Sequence, residues 1–121
     1  MTVELVVTPK SIDHIYELIN VGADSFVIGE EKYGLRLAGE FKRDELKKAI
    51  EIIHQAGKKA YVSVNAIFHN EHIDDLVDYL HYLSTLNVDA LIYGEPTIIT
   101  ILREENLDFK LQWDPHTLAT N

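Results

Sequence analysis

Two seven-residue stretches of this chain repeat one pattern: an Asp, a small residue, three apolar residues, a Gly and a Glu. The first is Asp24-Ser25-Phe26-Val27-Ile28-Gly29-Glu30 and the second is Asp89-Ala90-Leu91-Ile92-Tyr93-Gly94-Glu95. A short apolar run closed by glycine reads as a buried strand, and the Glu that follows stands where the strand leaves the sheet. Two ordinary buried strands with turn glycines would give the same letters. Context decides more. Each copy follows a helix-like segment and precedes another, so the chain alternates β and α, which favours a parallel sheet with right-handed crossovers. In such sheets ligands bind at the end where the strands exit.

At 121 residues the chain has the size of one α/β domain, residues 1–121, and about half the length of an eightfold barrel of roughly 250 residues. Its 46% apolar and 26% charged residues are ordinary for a globular chain, and no apolar run approaches the roughly 20 residues that span a bilayer. Met1 leads into a strand rather than a basic stretch and signal core, so a cytoplasmic protein with no membrane partner is expected. Cysteine is absent, which removes disulfides, thiolate nucleophiles and cysteine-held iron or zinc from these residues. The net charge of -9 is uneven: residues 71–108 carry nine acidic side chains against Arg103 alone. Such a surface repels phosphates, so a nucleic-acid backbone would have to be gripped mainly from outside this segment.

Along the chain, residues 4–7 predict a first strand, closed by Thr8-Pro9. Ser11 is a good N-cap for a helix that puts Ile12, Ile15, Tyr16 and Ile19 on one face and stops at Gly22. A second strand over 25–28 is followed by a connection of about thirteen residues, 29–41, longer than the usual two to six of a βα loop and for that reason a candidate functional segment. A helix over 43–56, with Leu46, Ala49, Ile50 and Ile53 in phase, stops at Gly57. A strand over 59–64 then leads into Asn65-Ala66-Ile67-Phe68-His69-Asn70. The cleanest helical period lies in 71–86, where Ile73, Leu76, Val77, Leu80 and Leu83 form one stripe. A strand over 90–93, a helix opening at Pro96 and reaching 105, and a strand over 109–113 complete the order βαβαβαβαβ. This order fits the N-terminal half of a (β/α)8 TIM-type barrel or a complete five-stranded doubly wound sheet of flavodoxin type. Phosphate-loop and dinucleotide fingerprints are absent.

The segment 29–41, with Tyr33-Gly34-Leu35-Arg36 and Ala38-Gly39-Glu40-Phe41, followed by Val64-Asn65-Ala66-Ile67-Phe68-His69-Asn70 and by Ala119-Thr120-Asn121, resembles the N-terminal part of the U32 peptidase family, also called collagenase-like. The resemblance covers essentially the whole chain and implies the first half of a longer barrel domain. It also implies two activities. Founding members are described as collagen-degrading hydrolases, while relatives act in hydroxylation of the tRNA wobble uridine to 5-hydroxyuridine, of ribosomal RNA or of ubiquinone precursors. Several of these carry an iron–sulfur cluster on cysteines downstream of this region, and some depend on a prephenate-derived co-substrate. With no cysteine, this chain holds no such cluster itself. Nor does it show a peptidase apparatus: His69-Asn70-Glu71-His72 spaces its histidines three apart, against the four of a zincin helix. The tRNA-hydroxylation branch is the leading reading, with the isolated chain inactive; a peptidase and a non-enzymatic binding module are the alternatives.

In the barrel reading the site residues are those at strand exits. Arg36, with Tyr33 in the same loop, offers a planar fork for a substrate carboxylate or phosphate, or pairs with Glu30, Glu31 or Glu40 to hold the loop. Asn65 reads a polar ligand with donor and acceptor together, or caps its turn. His69 is a proton carrier near neutral pH, or a turn histidine. Glu30 and Glu95, two strands apart, share a ligand cation or form an acid and base pair across the rim, or are solvated rim carboxylates. Asp114 and His116 complete the substrate-binding set, although Trp113-Asp114-Pro115-His116 departs from the small hydroxyl residues and Gln or Thr that the family shows at this strand. No metal-binding set is assigned. His14, His54 and His81 read as helix-edge residues, and Tyr79 and Tyr82 as the border of the stripe on the third helix. Unpaired edges on the first and last strands predict a homodimer that completes the half barrel, and tRNA is the expected partner of the longer protein.

Overall fold

The computed structural model of the chain describes residues 4–30, 41–64, 73–93 and 97–113. Strands and helices alternate in the predicted order: β1 (Val6–Val7), α1 (Ile12–Asn20), β2 (Ser25–Ile28), α2 (Arg43–Gln55), β3 (Lys59–Val64), α3 (Ile73–Ser84), β4 (Ala90–Tyr93), α4 (Thr97–Glu104) and β5 (Leu111–Trp113). All strand pairs are parallel, and the sheet order is β1-β2-β3-β4-β5. Each right-handed crossover therefore steps one strand in the same direction, which places every helix on the same face. A doubly wound sheet reverses direction and carries helices on both faces. The flavodoxin-type alternative is thereby corrected, and the strand order is that of one half of a (β/α)8 barrel.

The core confirms the one-sided layering. Phe26, Ile28, Ala60, Val62, Val64 and Leu91 project from alternate positions of the strands into a single cluster with Ile15 of α1, Leu46 and Ile53 of α2, Leu80 and Leu83 of α3, and Ile98 and Ile101 of α4. The intervening strand positions face the other way and are more polar: Ser25 and Ser63 are buried there. On that face the Glu4 carboxylate accepts hydrogen bonds from the Ser25 hydroxyl and, at 3.1 Å, from the Tyr61 hydroxyl.

Local chemistry sets the element ends. Ser11 caps α1 by accepting from His14 N–H at 3.2 Å, while the His14 ring accepts from the N–H of Lys10, the residue before the cap, at 2.9 Å. Gly22 follows with φ +95°, a left-handed value that glycine adopts without steric cost. Helix α3 ends two residues before the apolar period does, because the Ser84 and Thr85 hydroxyls turn back onto the carbonyls of His81 and Tyr82, each at 2.6 Å, and Asn87 takes φ 57°. Strand β1 is shorter than predicted because the backbone N–H of Leu5 bonds a side chain instead of a ladder carbonyl.

That side chain is Asp24, the first residue of the repeat. Its carboxylate accepts from Leu5 N–H at 2.8 Å while its own N–H donates to Leu5 O at 2.9 Å. Asp89 repeats the arrangement on the next strand but one, accepting from Ala60 N–H at 2.7 Å and donating its N–H to Ala60 O at 2.9 Å. The repeated Asp thus staples the beginning of its strand to the neighbouring one. Asp89 also holds the ring of His54 at 2.9 Å. The substitution Asp89→Ala is expected to lower the unfolding free energy by about 1–3 kcal/mol in urea melts, because the buried end of a strand loses its hydrogen-bond acceptor. An unchanged midpoint would show that the staple contributes nothing.

Candidate functional site

The end of the sheet where strands exit carries a cluster built around Arg43. Strand β2 runs out through Gly29 into Glu30, and Glu30 forms an isolated parallel bridge with Phe41, whose N–H donates to Gly29 O at 3.3 Å. The two ends of the connection 31–40 are therefore side by side. Phe26, Ile28 and Glu30 alternate onto the helix-facing side, so the Glu30 carboxylate enters the layer between the sheet and the helices, where the residue is only 4% exposed.

A buried carboxylate needs a partner. Arg43, the first residue of α2, supplies it: Nε lies 3.0 Å and Nη2 2.9 Å from Glu30 Oε2. The same Nη2 lies 3.2 Å from Asp75 Oδ2 in the first turn of α3. Beneath it, the Tyr79 ring sits 5.1 Å from the guanidinium carbon, within cation–π range. The Tyr79 hydroxyl, fully buried, accepts from Glu30 N–H at 3.3 Å. One guanidinium thus joins the exit of β2, the start of α2 and the start of α3. Burial works against its charge, but the hydrogen bond and charge of Glu30, with Asp75 behind them, outweigh that and raise the Arg43 pKa above its ordinary value. Burial first, and then the Asp44 carboxylate, raise the nearby Tyr82 phenol as well.

The pair is energetically asymmetric. Removing Arg43 would leave a charge on Glu30, whose side chain is 5% exposed, an error that costs about 3–5 kcal/mol in comparable buried pairs. Removing Glu30 would leave Arg43, which is 33% exposed and keeps Asp75. The buried carboxylate is what makes the arginine necessary.

Of the residues assigned from sequence, the structure describes Glu30 alone; Arg36, Tyr33, Asn65, His69, Glu95, Asp114 and His116 lie outside the described residues. Glu30 is neither solvated nor on the polar face of the sheet, and among the described residues Arg43 is its ion-pair partner. Arg43 and Asp75 had no assigned role. Tyr79 is a correction, since it lies at the centre of the packing rather than at its border. Two signals were available. A cation at the first position of a helix opposes the helix dipole and calls for a local anion, and Asp75 and Tyr79, four apart, share a helix face. The helix-edge histidines each have a partner: besides His14 and His54, His81 lies 2.8 Å from Glu105.

At the opposite end of α2 a cleft of about 360 Å³ is lined by Lys47, Glu51, His54, Gln55, Thr85 and Asn87, among others. It lies at the end of the sheet where the strands begin. Among the described residues no group of three or more His, Cys, Asp or Glu could hold a metal ion. No helix among them is long and apolar enough to cross a membrane.

Comparison with known proteins agrees with this architecture. The chain is 49% identical over 118 residues to tRNA hydroxylation protein P2 of Bacillus subtilis, covering 98% of this chain and 38% of that protein. It is 36% identical over 101 residues to tRNA hydroxylation protein P1 of the same organism, covering 83% of this chain and 24% of that protein. The chain therefore spans well under half the length of these curated relatives. The solved structure of the U32 peptidase Mk0906 superimposes with a TM-score of 0.76 over 98% of this chain and 50% of that one, at 17% identity, a likeness of fold. The sequence profile of peptidase family U32 matches residues 10–121, and a match over nearly the whole length, together with the parallel half-barrel strand order, shows that the chain belongs to that family.

Proposed function

We propose that these residues are the N-terminal part of a longer barrel domain, and that the protein carrying them takes part in hydroxylation of the tRNA wobble uridine to 5-hydroxyuridine. The observation that carries this reading is the 49% identity, over 98% of the chain, to a protein named for tRNA hydroxylation. The absence of a recognisable nucleophile–base pair or zincin helix in the sequence points the same way. Under this reading the protein works in the cytoplasm, and the acidic half of this segment leaves most of the grip on the tRNA backbone to other parts of the protein.

Within the segment, Arg36 is proposed to clamp a carboxylate or phosphate, as a nucleotide or a prephenate-derived co-substrate would present, with Tyr33 and Asn65 beside it. His69 and Glu95 are proposed to move protons, and Asp114 and His116 to contact substrate. An iron–sulfur cluster does not fit these residues, since none of the 121 is a cysteine; any cluster would be held elsewhere in the longer protein, and no step here is routed through one.

The test is complementation. The longer protein, expressed in Bacillus subtilis lacking tRNA hydroxylation proteins P1 and P2, is expected to restore hydroxylated uridine in digested tRNA, measured by mass spectrometry, while the 121-residue chain alone is not. No restoration, with cleavage of gelatin by the purified longer protein, would support a peptidase instead.

A second proposal concerns the sheet edges. Strands β1 and β5 each pair on one side only among the described residues, and Leu5 and Val6, both 46% exposed, and Leu111, 38% exposed, lie at those edges. The isolated chain is proposed to associate with a second copy through them. Light scattering at micromolar concentration is expected to give more than the monomer mass of 13.8 kDa; a monomer would refute the association.

A further inference from the structure

We infer that Arg43 is a positioning residue that ties the exit of β2 and the starts of α2 and α3 into one unit. The connection 31–40 leaves from Glu30 and returns at Phe41, two residues before Arg43; the connection 65–72 leaves from β3 and returns at α3, whose first turn carries Asp75. Two strand-to-helix connections that are separate in sequence thus share an anchored base, because one guanidinium nitrogen lies 2.9 Å from Glu30 and 3.2 Å from Asp75. Tyr79 locks the same point from below, holding Glu30 N–H while the guanidinium lies over its ring.

Two features separate this from an ordinary surface ion pair, which contributes little. First, one partner is buried: Glu30 is 4% exposed, so its charge has no solvent to fall back on. Second, the arginine uses the planarity of its fork. Both Nε and Nη2 are committed to Glu30 while Nη2 also reaches Asp75, and a lysine cannot reproduce that geometry. In barrels of this type the strand-exit connections carry substrate contacts. The inference therefore deepens the tRNA-hydroxylation reading, on which its functional half rests. A displacement of about 1 Å between reacting groups is enough to cost of order a hundredfold in rate.

The test reads the base of the first connection while perturbing the second. In the 121-residue chain, Asp75→Asn and Arg43→Lys are each expected to raise hydrogen exchange of the Phe41 and Glu30 amides, followed by NMR, by about fivefold or more, as expected when residues open as one coupled unit. A merely structural Asp75 would affect α3 amides alone, and unchanged exchange at Phe41 would overturn the brace. The control is His54→Gln, which alters the side-chain contact to Asp89 at the other end of α2 and should leave Phe41 exchange unaltered; an equal rise there would mean general loosening and would also overturn it. In the complementation assay, the longer protein with Arg43→Lys should yield severalfold less hydroxylated uridine at equal protein level. Full restoration would remove the positioning role. If the unsubstituted protein restores nothing, the tRNA reading fails, and the exchange data still decide the brace.

Discussion

A single buried carboxylate organises the exit end of this sheet. Glu30 continues the helix-facing row of Phe26 and Ile28, so the pleat that builds the core also drives a charge into it. Left alone, that charge would cost more than a domain of this size can spare. Arg43 is the neutralising partner, and its placement at the first position of α2, against the helix dipole, follows from that need. Once there, its Nη2 also reaches Asp75 and its flat face lies over Tyr79. The start of α2, the start of α3 and the end of β2 are consequently fixed against one another.

The two ends of the sheet are held by different chemistry. Where strands begin, Asp24 and Asp89 bond neighbouring backbone directly, short neutral-to-charged contacts that set the stagger of β1 against β2 and of β3 against β4. Where strands exit, the contact is ionic and runs between side chains of separate elements. Backbone staples leave little room for rearrangement, whereas a guanidinium shared by two carboxylates couples segments that lie far apart in sequence.

Much of the fold was legible in the sequence. Short apolar runs for the strands and the 3.6-residue period for the helices, with Gly22 and Gly57 as stop signals, located all nine described elements, and the inner strands β2, β3 and β4 matched their expected limits. The edge strands were shorter than their composition suggested. At β1 a carboxylate replaces a ladder partner, and β5 is confined to Leu111–Trp113. The doubly wound alternative could not be dismissed from element order alone, since it is strand adjacency that separates the two architectures. The site was less legible. The repeat drew attention to Glu30 and correctly marked a strand exit, but reading it as a rim carboxylate overlooked its parity with Phe26 and Ile28. The role of Asp24 and Asp89 depended on backbone groups that no side-chain pattern reveals. Arg43 was visible only as a helix boundary, although its charge was on the wrong end of the helix for comfort.

The Glu30–Arg43 contact, within a sheet of sequential parallel strands, is what the rest of the arrangement depends on. A crystal structure of this chain, or of the longer protein that contains it, measures both at once. The account predicts the Arg43 guanidinium within about 3 Å of a buried Glu30 carboxylate, reaching Asp75 and lying over Tyr79, with α1 to α4 on one face of the sheet. Arg43 turned to solvent, with Glu30 exposed on the rim or paired to another cation, would contradict it.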